Sequence, residues 1–219
     1  ALPILKLLHG HGLRVGAYKP VCSGAEPGAD GRPFWNDVVQ LQTVCEQLAT
    51  AAPQLTGTDS PETAGTRRQI TAQLICPQTF VAPLAPPVAA RLEGRTVDEQ
   101  LLRDGLFRWH GLADAVVVEG AGGLLSPLSE HDTTVNLARD LQCPLIIVAA
   151  NRLGVVNHTL LTLQVARQHQ LDVAAVILND ATPDLTEDIS DHTGDSDHMR
   201  DISRRHNADT LQQFMEPLP

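Results

Sequence analysis

The nine residues Ala115–Gly123, AVVVEGAGG, place the tightest limit on what this chain can fold into. The run from Ala115 to Val118 has no polar alternation, so it reads as a strand buried on both faces. Such strands belong to parallel sheets covered by helices. Glu119 then stands at the strand's carboxyl end, where open α/β sheets bind ligands. Gly120, Ala121, Gly122 and Gly123 are small enough to let a polyphosphate approach the backbone. The combination suggests a Mg-nucleotide site. From these residues alone, a buried strand with a glycine turn and a solvated Glu119 reads equally well.

Two further apolar runs follow the same plan. Pro144–Ala150, PLIIVAA, ends at Asn151, and Val173–Leu178 ends at Asn179 and Asp180. Helical periodicity lies between them, over Thr133–Leu141 and Asn157–Gln170. Strands alternating with helices predict an α/β fold with a doubly wound, mostly parallel sheet. Glu119, Asn151 and Asn179 are then expected along one sheet edge. The length of 219 residues suits one domain, 1–219, with a sizeable core. With 42% hydrophobic residues but only 3% aromatic ones, that core is expected to be aliphatic.

Upstream, Ile4–His9 reads as a helix, with Pro3 tolerated in its first turn. Leu13–Tyr18 reads as a short strand. The glycines of Gly10–Gly16 lack dinucleotide-fingerprint spacing and follow a helix, so they are set aside. KPVCSG, Lys19–Gly24, puts a lysine and a serine four apart at a strand's end. That pair suits an anionic or amine-bearing ligand, or is a plain surface loop. Asn36 and Asp37 precede a helical pattern from Val38 to Leu48. Asp37 is either a helix cap or a metal carboxylate. Gln69–Ile75 is expected as a strand, Pro77–Pro87 as extended chain and Val88–Leu92 as a short helix. Val97–Leu112 is expected as an amphipathic helix capped by Thr96. Ala51–Arg68 reads as a polar surface insertion, Asp184–Asp201 as an acidic, flexible segment and Ile202–Met215 as a last helix.

The net charge of −10 argues against non-specific nucleic-acid binding. No apolar run approaches a membrane span and no signal peptide is visible, so a cytoplasmic protein is expected. Cys22, Cys45, Cys76 and Cys143 lack metal-ligand spacing and read as reduced thiols. The nine histidines form no metal-ligand pair. His192, His198 and His206, in the acidic tail, read as solvated surface. Only two of the sixteen basic residues are lysines, Lys6 and Lys19, which leaves few candidates for lysine chemistry.

Five stretches in order carry a family resemblance. They are GAYKPVCSG, the Asn36–Asp37 pair, CPQTFVAPLAPPVAA, VVVEGAGGLLSPL and NRLGVVNHTLLT, followed by ILND. Over roughly Ile4–Pro183 the chain resembles dethiobiotin synthetase. The resemblance implies a P-loop NTPase-like parallel sheet and ATP-dependent closure of a ureido ring on 7,8-diaminopelargonic acid. One amine takes up CO2 as a carbamate, the carbamate attacks the γ-phosphate of ATP, and the second amine closes the ring. Lys19 matches the lysine that contacts carbamate and γ-phosphate, and Ser23 matches a substrate-binding serine. Asp37 and Glu119 match the Mg2+ carboxylates. Gly120, Ala121 and Gly122 match backbone contacts to substrate or nucleotide. Asn179 and Asp180 match the pair that reads adenine. Gly154, Val155, Val156 and Asn157 match a helix start that binds the substrate's far carboxylate across a homodimer interface. A helix N-terminus suits that anion, and Asn157 also reads as a plain helix cap.

The family's first strand and its loop of the type GTDTxVGKT have no counterpart in these residues. The opening ALPILKLLHGHG matches the helix that follows that loop, and Lys6 lies within that helix. These residues alone are therefore expected to have negligible ring-closing activity and marginal stability. A catalytically silent homologue serving as a binding or partner subunit is one alternative. A fragment of a cobyrinic acid amide synthase-like ligase, which carries a similar EGAGG strand end, is another.

Overall fold

A computed structural model describes residues 1–51, 69–180 and 202–215. The Ala51–Arg68 insertion beyond its first residue, and the acidic Asp184–Asp201 segment, lie outside them. The chain falls into two compact units, Ala1–Leu141 and Gln142–Pro219.

In the first unit, α1 (Leu2–Gly10) leads into β1 (Val15–Tyr18). The strand β6 (Ala115–Val118) pairs with β1 in parallel, with Val15 opposite Ala115 and Tyr18 opposite Val118. This confirms the parallel arrangement read from AVVVEGAGG. β1 is buried at every residue, while β6 is half-buried along its length. Short strands β2 (Cys22–Ser23) and β5 (Thr79–Phe80) also pair in parallel, and β3 (Glu26–Pro27) and β4 (Pro33–Phe34) form an antiparallel hairpin. Helices α2 (Asn36–Ala51), α3 (Ala72–Ile75), α4 (Pro86–Leu92), α5 (Glu99–Phe107) and α6 (Thr134–Leu141) complete the unit.

The core is aliphatic, as composition requires, but three aromatics anchor it. Tyr18, Phe80 and Trp109 are each at most 2% exposed. Tyr18 donates its hydroxyl to the carbonyls of Leu101 and Leu102 in α5, at 3.0 and 2.9 Å. Burial raises its pKa, so the hydroxyl stays a donor. Close approach here depends on glycine. A Cβ on Gly16 would overlap the Trp109 ring, and one on Gly105 would overlap the Tyr18 ring and hydroxyl.

Three local expectations change. Gln69–Ile75 is not a strand; Thr71 accepts a hydrogen bond from Leu74 N at 3.2 Å and caps a single helical turn. The following helix is shorter than Val97–Leu112, and its cap is Asp98, not Thr96. Asp98 Oδ1 accepts from Leu101 N at 2.9 Å, while Val97 is buried outside the helix. Pro86 starts α4 two residues earlier than expected, because a proline has no N–H to lose in a first turn.

Gln78 holds the α5 cap in place. Its side chain is buried, accepts from Asp98 N at 2.8 Å and donates to Asp98 O at 3.0 Å. Gln78→Leu keeps the volume but orphans the Asp98 N–H. It is expected to cost about 2 kcal/mol in urea unfolding.

In the second unit, β7 (Leu145–Ala150) and β8 (Val173–Asn179) pair in parallel around α7 (Val155–Gln168). A 3-10 turn, Ile202–Arg205, precedes α8 (Asn207–Met215), so the expected single helix Ile202–Met215 is broken after its first turn. Burial alternates along β7, and Ile146, Val148 and Ile177 are 41%, 55% and 39% exposed. The expectation of strands buried on both faces therefore fails for β7 and β8 among the described residues. Their apolar composition alone gives no hint of which face stays open.

Candidate functional site

The register of β1 and β6 sets the first site. Tyr18 lies opposite Val118, and Glu119 N donates to Tyr18 O at 2.8 Å. Lys19 and Glu119 therefore emerge side by side at the carboxyl ends of two parallel strands. Lys19 Nζ lies 2.7 Å from Glu119 Oε1 and 3.0 Å from Asp37 Oδ2. Asp37 sits in the first turn of α2 and spends its side chain on Lys19, so the cap alternative is not the one taken. The Lys19 side chain is 6% exposed. Burial works against its ammonium, but Glu119 and then Asp37 outweigh that, and the pKa is raised. Lys19 is thus a fixed cation at neutral pH, not a base.

Glu119 meets Lys19 through Oε1. Glu119 Oε2 lies 3.7 Å from Ala1 N. Two carboxylates brought to one ammonium are hard oxygen donors of the kind that suits a divalent cation also taking water and phosphate oxygens. No cluster of three or more His, Cys, Asp or Glu forms among the described residues.

Lys19, Ser23, Asp37, Ala121 and Gly122 line one cavity of about 330 Å³. Ser23 donates its hydroxyl to Leu84 O at 2.6 Å, so it faces the cavity as an acceptor. Gly120 packs tightly, since a Cβ there would come 3.0 Å from Thr134 Cγ2. Gly122 has φ +81°, and a Cβ would meet Ser126 Oγ at 2.5 Å and Ser126 Cβ at 2.9 Å. Gly122→Ala is expected to cost about 2 kcal/mol in thermal melting and to displace Ser126 from the cavity wall. Sequence reasoning passed over Ser126, Leu84 and Cys22, which line the same cavity. The position of Ser126, three residues after the glycine run, was the available signal for it.

The second unit holds the remaining candidates. Gly154, at φ +91°, is the N-cap of α7, so Asn157 lies inside the helix and is not its cap. The N–H groups of Val156 and Asn157 make no hydrogen bond among the described residues, whereas Val155 N donates to Arg152 O at 3.1 Å. Asn179 is exposed at the end of β8, and its side-chain amide has no partner among the described residues. Asp180 is engaged: its Oδ1 accepts from Arg204 Nη2 at 2.9 Å and from Asn151 Nδ2 at 2.9 Å. The Arg204 and Asn151 bonds hold its carboxyl below the usual range. Asn207 donates in turn to Asn151 Oδ1 at 2.8 Å. Arg204 and Asn207 were not foreseen, because they follow the acidic segment, far along the chain from Asn151.

Comparison with known proteins shows the family of the chain. The AAA domain family model AAA_26 matches residues 4–215. The chain is 38% identical to the ATP-dependent dethiobiotin synthetase BioD of Rhodopirellula baltica over 178 residues, 77% of this chain and 61% of that protein. It is 42% identical to the protein of the same name from Anaeromyxobacter sp. strain Fw109-5 over 145 residues, 61% of this chain and 65% of that protein. With ATP-dependent dethiobiotin synthetase BioD 1 of Escherichia coli K12 it shares 31% identity over 180 residues, 82% of this chain and 70% of that protein. The chain thus spans under two thirds of the length of the first two relatives.

Proposed function

Because the chain belongs to the dethiobiotin synthetase family, within the AAA domain class, we propose that it serves ATP-dependent ureido-ring closure on 7,8-diaminopelargonic acid with CO2, a step of biotin biosynthesis. The single observation that carries this reading is the Lys19 ammonium, clamped by Glu119 and Asp37 and lining the cavity that also holds Ser23.

A permanent, partly desolvated cation suits the work. One amine of the substrate forms a bond to the carbon of CO2 and gives up a proton, leaving an anionic carbamate. Lys19 stabilises that anion and then the charge that builds as the carbamate oxygen takes the γ-phosphoryl of ATP. ADP leaves as the carbamate oxygen–phosphorus bond forms, and the second amine then attacks the carbamoyl carbon, expelling phosphate and giving up a proton as the ring closes. Ser23, as an acceptor, orients an amine. Asp37 and Glu119 fit Mg2+, which would supply charge neutralisation on the phosphates when bound. Gly120, Ala121 and Gly122 offer backbone to substrate or nucleotide. Asn179 reads the adenine edge through its free amide, beside Asp180. The start of α7 at Gly154, Val155, Val156 and Asn157 takes the far carboxylate of a substrate held by a second copy, as a cytoplasmic homodimer. This reading takes both units as parts of one synthetase-like domain.

The test incubates the purified protein with the diamine, bicarbonate, Mg2+ and ATP, and reads dethiobiotin by mass spectrometry. Product that requires all four components supports the reading. Diamine binding without product moves the assignment to a silent binding subunit. Absence of diamine binding removes it.

A further inference from the structure

The hydroxyls that face the Lys19 cavity are not equivalent. Ser23 has its hydrogen committed to Leu84 O, so it can only accept from a ligand. Ser126 lines the same cavity, and its hydroxyl has no hydrogen-bond partner among the described residues. It is half-buried, so water satisfies it only until a ligand displaces that water.

Ser126 is also held still. Its N–H donates to Gly123 O at 3.0 Å, and its carbonyl accepts from Thr134 N at 3.0 Å. Pro127 follows and restricts its backbone further. Both main-chain groups are therefore fixed, and Gly122 leaves room for the Oγ against its own backbone. A hydroxyl placed this firmly and left unpaired is pre-organised for a ligand atom.

The other polar groups decide which atom. Asp37 and Ser23 present acceptors to the cavity, and Lys19 presents a cation. A charged ligand oxygen drawn to Lys19 can accept from a second donor, and Ser126 is a hydroxyl lining the same cavity that has no partner among the described residues. We propose that Ser126 is a substrate-contacting residue that donates to an anionic oxygen of the carbamate, while Ser23 accepts from an amine of the same molecule. The inference rests on the ring-closure reading above and adds a specificity element for the carbamate over the bare diamine.

Bicarbonate separates the two states of the ligand. The diamine alone presents amines near Ser23, whereas in the presence of bicarbonate it carries the carbamate that Ser126 would recognise. Titration calorimetry of the protein with 7,8-diaminopelargonic acid, with and without bicarbonate, is run on the parent, Ser126→Ala and Ser126→Thr. In bicarbonate, Ser126→Ala is expected to bind about tenfold more weakly than the parent, the loss of one hydrogen bond to a charged group. Without bicarbonate the two are expected to agree within about twofold, a contrast that a merely structural role of Ser126 would not produce. Ser126→Thr keeps the hydroxyl and is expected to retain most of the bicarbonate effect. Equal binding by parent and Ser126→Ala in bicarbonate overturns the assignment of Ser126 while leaving the site reading intact. So does loss of the bicarbonate effect in Ser126→Thr with binding of the bare diamine unchanged. A parent that binds no diamine in either buffer overturns both.

Discussion

In any form of the protein that forms dethiobiotin, Lys19→Met is expected to abolish that reaction, and in this chain to abolish the bicarbonate-dependent part of diamine binding. The loss in rate is expected to be on the order of a thousandfold, the scale for removing a preorganised donor from developing charge. The methionine fills nearly the same space, so packing at the end of β1 survives. What disappears is a cation that two carboxylates share. Glu119 and Asp37 are 33% and 58% exposed, so both can rehydrate once the ammonium is gone. Their mutual repulsion is therefore screened, and the stability cost should stay at about 1–2 kcal/mol, below that of a fully buried pair. Lys19→Arg is not expected to restore turnover, because a planar guanidinium cannot meet both carboxylates and a phosphoryl oxygen as a point charge does. Steady-state assays and urea unfolding on the two variants check this. A Lys19→Met protein that keeps normal turnover would remove Lys19 from the mechanism.

The second large effect is structural. Gly105→Ala is expected to destabilise the first unit by about 3 kcal/mol and to lower the melting temperature by about 10 °C. On a bare helix the change would help, since alanine is the better helix former by about 1 kcal/mol. Here the new methyl enters the space of the Tyr18 hydroxyl, which is fully buried and bonded to Leu101 and Leu102. Either the ring moves and those carbonyls lose their donor, or α5 moves away from β1. Removing the hydroxyl with Tyr18→Phe should relieve only part of the strain, because ring carbon Cζ still lies 2.6 Å from the added Cβ. Calorimetric melting of the single and double variants measures that coupling.

Chemistry-bearing side chains were legible in the sequence where residue type and strand end coincide. Glu119 after a purely apolar run, and Lys19 before a proline, stand out because each puts a charge at a strand's end, although a solvated Glu119 and a plain surface loop read as well from the residues alone. Their partnership was visible only through the family resemblance. The two residues stand a hundred positions apart in the chain, and only the parallel register of β1 and β6 makes them neighbours. Local competition hid other features. Thr96 and Asp98 are both good helix caps, and burial of Val97 between them decides for Asp98. The Gln69–Ile75 stretch has apolar residues enough for a strand, but Thr71 captures the N–H of Leu74 and winds it into a turn. Backbone acceptors such as Leu84 O carry no signature in residue type at all. Ser23 therefore read as a general ligand contact, where the structure makes it specifically an acceptor.

The clamp on Lys19 also has a consequence for how the site answers to salt. The Lys19 side chain is 6% exposed, whereas those of Asp37 and Glu119 are 58% and 33% exposed. Added salt therefore reaches the carboxylates far more readily than the ammonium. The first encounter with a charged molecule should weaken as ionic strength rises, while the hold of Lys19 on a ligand oxygen already in place should change little. A diamine and an anion are then admitted in an order set by salt rather than by one fixed sequence.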